Sequence, residues 1–160
     1  MQLTDSTLLR SQCYVDGVWL GATSGRTSEI RNPASGALLG TVPQLDAAAT
    51  RRAIDAAAAA FPAWAARTAG ARAAILRRWF ELMMANQKDL ATLMTAEQGK
   101  PLAEAMGEIA YAAAFVEWFA EEARRVYGEI IPGHQADKRI LVLRQPVGVV
   151  AAITPWNFPA

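Results

Sequence analysis

The chain has 160 residues, of which 52% are hydrophobic and 19% charged, and its formal net charge is +1. This length and apolar content are typical of one globular domain with a real core. The near-neutral charge, without a basic cluster, excludes a nucleic-acid surface, and no apolar stretch reaches the roughly 20 residues that span a bilayer. Residues 1–10 lack the apolar centre of a secretion signal, so we expect a cytoplasmic protein.

The only cysteine, Cys13, excludes an internal disulfide and a cysteine-rich zinc site. The only histidine, His134, has no partner at ligand spacing, so we predict no metal site. No histidine or helix start lies near Cys13 in the sequence to activate its thiol. We therefore interpret Cys13 as a half-buried strand residue and not as a nucleophile.

Two β-hairpins are predicted near the start of the chain. Residues 13–15 and 18–20 flank Asp16-Gly17, a dipeptide that two-residue type I′ turns prefer. Residues 27–31 and 38–42 flank a second turn, which contains asparagine, proline, serine and glycine.

Three long helices are predicted next. The first begins after Asp46, an N-cap residue, and is expected to end near Phe61 because Pro62 follows. The second covers residues 69–94 and carries an apolar stripe that another surface must cover. The segment between the second and third helices is predicted as a loop.

The third helix is predicted over residues 102–126. We interpret Glu104 and Glu108 as solvent-facing acids of this helix, and Lys100 before it as a loop lysine without the glycine spacing of a phosphate loop. The residues predicted to point inward are Ile109, Ala112, Val116, Phe119 and Ala123.

The chain ends with two predicted strands and a loop. Residues 139–144 form a strand with charged ends, and residues 147–153 are an uninterrupted apolar run between prolines. Such a run is typical of a strand covered on both faces, as in a parallel sheet. Because ligands bind beyond the carboxyl ends of such strands, the loop over residues 154–158 is the candidate site.

Asn157 is the polar residue of this loop with the most evident chemistry. Pro155 and Pro159 fix φ at their own positions and restrict the residues before them. An asparagine held by stiff neighbours at a strand end indicates a preorganised hydrogen-bond donor. The alternative is an N-cap for a helix that would begin just after Ala160.

Residues 146–159, Pro-Val-Gly-Val-Val-Ala-Ala-Ile-Thr-Pro-Trp-Asn-Phe-Pro, resemble the signature of the NAD(P)-dependent aldehyde dehydrogenase superfamily. Residues 32–36, 97–105 and 132–139 resemble succinate-semialdehyde dehydrogenases in particular. The resemblance implies an α/β fold that is the amino-terminal part of such an enzyme, with hairpins, three long helices and the first strand of a doubly wound cofactor-binding sheet.

The same resemblance implies a division of the chain. Residues 1–137 would belong to the amino-terminal part of the cofactor-binding domain, residues 138–146 to a strand of the oligomerisation sheet, and residues 147–160 to the first strand and active-site loop of the cofactor-binding sheet. The catalytic domain would be absent from these residues.

Site roles also follow from the resemblance. Asn157 would be catalytic, donating its side-chain amide to the oxygen of the bound aldehyde and of the hemithioacetal formed from it. Phe158 would line the aldehyde tunnel; the alternative is a phenylalanine packed in the core. The binding cleft for the cofactor, NAD or NADP, would be lined by Ile153, Thr154, Pro155, Trp156 and Asn157.

The implied reaction oxidises succinate semialdehyde to succinate through a cysteine thioester, in a homodimer or homotetramer. The family's catalytic cysteine and general-base glutamate lie downstream of the matching region, so we expect no activity from these residues alone. Two alternatives stay open. One is another small aldehyde as substrate, such as glutarate semialdehyde or betaine aldehyde; the other is a non-catalytic chain that associates with full-length subunits.

Overall fold

Three antiparallel two-stranded hairpins contain all of the strands in the computed structural model, which describes residues 1–160. The first two hairpins confirm the prediction. Asp16 and Gly17 both adopt positive φ, at 51° and 80°, as a type I′ turn requires. The strands of these two hairpins are β1 (Cys13–Val15), β2 (Val18–Leu20), β3 (Thr27–Arg31) and β4 (Leu38–Pro43).

The third hairpin joins β5 (Glu129–Pro132) to β6 (Arg139–Val142). β6 confirms the predicted strand, whereas β5 lies where only a loop was expected. Its apolar pair, Ile130 and Ile131, stands opposite Leu141 and Ile140, so each face of the hairpin carries one cross-strand apolar pair. Such pairs stabilise an antiparallel ladder even where little is buried.

Four helices occupy the middle of the chain, one more than predicted. They are α1 (Ala47–Ala65), α2 (Ala69–Ala85), α3 (Gln87–Gln98) and α4 (Leu102–Glu122). The predicted second helix is two helices, broken at Asn86, whose backbone leaves helical geometry and whose side chain donates to the Leu82 carbonyl at 2.8 Å. α1 begins after Asp46 as expected, but it continues one turn past Pro62, which removes only one backbone donor.

The core of the chain is small and built largely from alanine. α4 packs against both α2 and α3. Its centre is a cluster of Ala91, Met94, Ala105 and Ile109, with Leu90 and Met106 packed against it. Alanines allow close approach of the helices but bury little apolar area, so this cluster alone provides limited stabilisation.

Two predictions for α4 are wrong. Phe119 was expected inside and is exposed, and Glu108 was expected in solvent and is buried. The helix turns its alanine side, including Ala105, Ala113 and Ala120, toward α2 and α3. Its bulky side is left facing outward, because small residues let the helices approach more closely than aromatic rings would.

An exposed aromatic face runs along α4. It consists of Tyr111, Phe115, Trp118 and Phe119, and the Tyr111 and Phe115 rings meet edge to face with centroids 4.9 Å apart. The tryptophans follow the same trend: all five in the chain are exposed, Trp64 least at 39%. None of the four helices combines the length and the apolar character that a membrane span requires.

Residues 147–153 differ from the prediction, because they form no strand in this chain. No backbone hydrogen bond joins them to another segment, and Val147 and Ile153 are 93% and 96% exposed. An apolar run becomes a strand only when neighbours pair with its backbone. The segment therefore presents its apolar side chains at the surface.

Candidate functional site

The candidate loop closes on itself as a tight turn. The backbone N–H of Phe158 donates to the Pro155 carbonyl at 3.1 Å, which makes residues 155–158 a hydrogen-bonded β-turn. Trp156 and Asn157 are its two central residues. The turn therefore presents the side chain of Asn157 at its tip, where it is exposed.

Lys100 binds the backbone of the turn. Its Nζ donates to the backbone carbonyl of Asn157 at 2.7 Å. Lys100 lies between α3 and α4, just after Gly99, which ends α3 in the left-handed conformation at φ 86°. A glycine in this conformation is a common way to end a helix, and here it directs the chain back toward the loop.

Glu108 binds both Lys100 and the backbone of Ala160. It lies two turns into α4, where its carboxylate forms an ion pair with Lys100 and its Oε1 accepts the backbone N–H of Ala160 at 3.1 Å. The Glu108 side chain is only 2% exposed and that of Lys100 11%. A buried pair of this kind costs desolvation, which its hydrogen bonds must offset.

Phe158 completes the environment of Lys100. The ammonium group lies 4.2 Å from the centroid of the Phe158 ring, within the range of a cation–π interaction. The predicted tunnel residue thus uses one face of its ring to cover Lys100, and about half of its surface stays exposed.

The predicted cofactor residues lie on the surface, two of them just before the turn and the others within it. Ile153, Thr154, Pro155 and Trp156 are all exposed. Trp156 borders an open groove of about 540 Å³, whose other lining residues are Met94, Glu97, Gln98, Pro159 and Ala160. Partial burial raises the pKa of the Glu97 carboxyl.

Lys100 and Glu108 are the site residues that the sequence interpretation missed. A signal for Glu108 was available, since it shares the helical face of Ala105 and Ala112 at i–3 and i+4. An acid on a face of small apolar residues indicates a buried partner. Nothing comparable marked Lys100, because its role depends on where the loop 57 residues later returns.

Cys13 is placed as predicted, half-buried in β1. No group of three or more histidine, cysteine, aspartate or glutamate side chains is arranged to hold a metal ion.

The arrangement offers one chemical capability. The side-chain amide of Asn157 has no acceptor within the chain, while its backbone is held by a buried charged pair. A neutral amide that is fixed through its backbone and free at its tip is suited to donate to a negative oxygen on a ligand.

Residues 19–160 match the family model described as the aldehyde dehydrogenase family. A glutarate-semialdehyde dehydrogenase of Pseudomonas putida is 66% identical over 160 residues, which are 100% of this chain and 33% of the relative. An NADP(+) succinate-semialdehyde dehydrogenase of Escherichia coli is 63% identical over 160 residues, again 100% of this chain and 33% of the relative.

A solved structure is similar to the whole length of this chain. The aldehyde dehydrogenase from Brucella melitensis biovar abortus 2308 superposes with a TM-score of 0.98 at 59% identity, covering 100% of this chain and 33% of that one. The chain therefore spans about a third of the length of the proteins it matches.

Proposed function

The chain belongs to the aldehyde dehydrogenase family, and we propose that it forms the amino-terminal third of an NAD(P)-dependent enzyme that oxidises succinate semialdehyde to succinate. The observation that carries the proposal is the Asn157 turn, with a free side-chain amide above a backbone held by Lys100. In this proposal the full-length dehydrogenase is the protein that joins these 160 residues to a catalytic part.

Asn157 is the residue we assign to the substrate oxygen. When a nucleophile attacks an aldehyde, negative charge develops on that oxygen, and a fixed donor stabilises it. An asparagine amide remains a neutral donor at every working pH. Loss of one such donor typically costs about 2.7–4 kcal/mol in the transition state.

The loop fits one wall of a nicotinamide site. Ile153 and Trp156 offer exposed apolar surface next to the Asn157 amide, a combination suited to a flat, amide-bearing ring. Ile153, Thr154, Pro155, Trp156 and Asn157 would hold the nicotinamide and ribose side of NAD or NADP. When bound, the cofactor supplies the acceptor for a hydride.

Phe158 is the residue we assign to the aldehyde channel. One face of its ring lies over Lys100, so the other face is the one available to a substrate. An apolar wall beside the reacting carbon would keep bulk water from the thiohemiacetal. The nucleophilic thiol and the general base would come from the catalytic part, since Cys13 lies in the first hairpin.

The second substrate candidate is glutarate semialdehyde, because the Pseudomonas putida relative of that name is about as similar to the chain as the Escherichia coli one. The two substrates differ by one methylene, a difference that hydrophobic pockets discriminate by only about 1–3 kcal/mol. Preference between them would depend on how the catalytic part grips the substrate carboxylate.

The third hairpin is the surface we assign to subunit association. β6 would join the oligomerisation sheet of a homodimer or homotetramer, where unpaired strand edges find partners. An enzyme that draws on the cell's NAD(P) pool is proposed to act in the cytoplasm.

The test is a substrate and cofactor matrix. Purified full-length dehydrogenase is assayed with succinate semialdehyde, glutarate semialdehyde and betaine aldehyde, each with NAD and with NADP. We expect the highest kcat/KM with succinate semialdehyde. A higher value with glutarate semialdehyde would favour the second candidate, and oxidation of betaine aldehyde alone would contradict both.

The alternative of a non-catalytic chain has its own test. The intact mass of the product in its source cells separates a long dehydrogenase from a 17.2 kDa chain. A species at that mass, co-purifying with a full-length subunit, would favour an associating partner over an enzyme.

A further inference from the structure

We propose that the buried Lys100–Glu108 pair is the positioning device for the oxyanion-binding turn, setting where the Asn157 amide points; the inference rests on the proposed function of Asn157. Neither residue contacts the reacting atoms in this proposal. Both act through the backbone that follows the Asn157 side chain.

The pair binds the backbone at two points, one within the turn and one two residues after it. Lys100 donates to the Asn157 carbonyl, and Glu108 accepts the N–H of Ala160, three residues later. Because Lys100 and Glu108 are themselves joined, the two grips cannot move independently. The backbone from Asn157 to Ala160 is therefore tied to one rigid charged unit.

The ammonium group of Lys100 is fully engaged. It has three donors; one meets the Glu108 carboxylate, one meets the Asn157 carbonyl, and its remaining surface lies against the Phe158 ring. A lysine with all its directions occupied has little freedom to rotate. Two of these contacts hold the turn, one at Asn157 and one at Phe158 directly after it.

Helix ends hold the unit in place. Lys100 follows the left-handed Gly99, whose backbone packs against the ring of Pro33, and α4 begins two residues later. Glu108 is held in the α4 face that packs on α2 and α3. The pair therefore fixes the position of the loop relative to the helical core.

Stability alone does not account for a charged pair here. Buried ion pairs are often no more stabilising than apolar residues of the same volume. They are, however, directional, and catalytic groups are sensitive to direction: a misplacement of about 1 Å costs about 100-fold in rate. The arrangement favours a geometric role over a purely stabilising one.

The experiment is a double-mutant cycle on kcat in the full-length dehydrogenase. The variants are Lys100→Met, which keeps the length of the side chain without its charge, and Asn157→Ala, alone and combined. We expect Lys100→Met to lower kcat about 10-fold to 100-fold when Asn157 is present. In the Asn157→Ala background it should change kcat less than about 2-fold, because there is no amide left to misplace.

Cofactor affinity and a surface control accompany the cycle. NAD(P)H binding, measured by fluorescence, should change little in Lys100→Met. Lys88→Met, at an exposed position of α3, should leave kcat unchanged. An unchanged kcat in Lys100→Met, or an equal fall in both Asn157 backgrounds, would overturn the positioning role.

Two further measurements cover the remaining outcomes. If Lys100→Met does not fold, Lys100→Met/Glu108→Gln removes both buried charges and enters the same cycle with the same expectations. If Asn157→Ala itself leaves kcat unchanged, the proposed function of Asn157 fails. The crystal structure of the Lys100→Met enzyme then decides the positioning separately: a displaced turn supports it and an unmoved turn overturns it.

Discussion

The side chain of Asp89 accepts the backbone N–H of Asp5 at 2.7 Å, across 84 residues of sequence. Its other oxygen accepts the N–H of Thr4 at 3.0 Å. One buried carboxylate on α3 therefore binds the start of the chain in bidentate fashion. The two backbone hydrogen bonds, first from Thr4 and then from Asp5, hold the pKa of Asp89 below its ordinary value.

The two hydrogen bonds to Asp89 predict that the stability of the chain falls at acid pH. Because the folded-state pKa is lowered, the contribution of Asp89 is fully present above the unfolded value, about 3.9, and is lost as pH falls through the lower folded value. Asp89→Asn should therefore lower the melting temperature at pH 7 and have less effect near pH 3. Asp55→Asn, exposed on α1, is the control; equal shifts in the two variants would contradict the expectation.

Asn157→Ala should lower kcat of the full-length dehydrogenase about 10²-fold to 10³-fold, because one oxyanion donor is lost. Asn157→Asp is the matched variant, since it keeps the shape but its carboxylate accepts without donating. Cofactor affinity should stay nearly constant in both. An Asp variant with normal kcat would remove the amide from the reaction.

Much of this architecture was predictable from local sequence. Asp16-Gly17 marks the first hairpin, and Asp46 caps α1 through the backbone N–H of Ala49, as its side-chain chemistry favours. These features depend on residues within a few positions of one another. The same holds for the tight turn between Pro155 and Phe158.

What could not be predicted depends on contacts distant in sequence. Phe119 looked buried because aromatic residues usually are, yet α4 turns its alanines toward α2 and α3 instead. Lys100 is the loop lysine that the sequence predicts, but its burial could not be predicted because its partners, Glu108 and Asn157, meet only in the fold. Likewise, residues 147–153 can form a strand only where a neighbouring strand pairs with their backbone.

Gly99→Ala should destabilise the chain by about 1–2 kcal/mol, the cost of a side chain in the left-handed region. A Cβ at Gly99 would also stand 2.9 Å from the Pro33 ring, so the ring would have to shift. Gly70→Ala near the start of α2 is the control, because a Cβ there meets nothing within 4 Å. Urea unfolding of the two variants checks the difference; a loss at Gly99 no larger than at Gly70 would be inconsistent with it.

Leu141→Lys should weaken subunit association in the full-length dehydrogenase. Leu141 stands opposite Ile130 in the third hairpin, and both are exposed, at 66% and 80%. A partner subunit that covers this pair would have to desolvate the lysine charge, and that cost would weaken association. Sedimentation velocity should show smaller species than in Val18→Lys, an exposed control in β2. Identical assemblies would exclude the third hairpin from the interface.

Cys13→Ser should leave kcat and KM unchanged, because Cys13 is a half-buried residue of β1 and belongs to neither the turn nor its charged pair. A steady-state assay of the full-length dehydrogenase checks this. Loss of activity, with the melting temperature preserved, would show that the thiol takes part in the reaction.

The exposure of all five tryptophans has a spectroscopic consequence. Indoles in contact with water emit at long wavelength, so Trp118 and Trp156, at 60% and 81% exposed, should emit there in the folded chain. Trp118 on the aromatic face of α4 and Trp156 on the site turn become useful for the same reason. Any surface that covers them should shift the emission to the blue, which makes the chain's intrinsic fluorescence an optical reporter of docking.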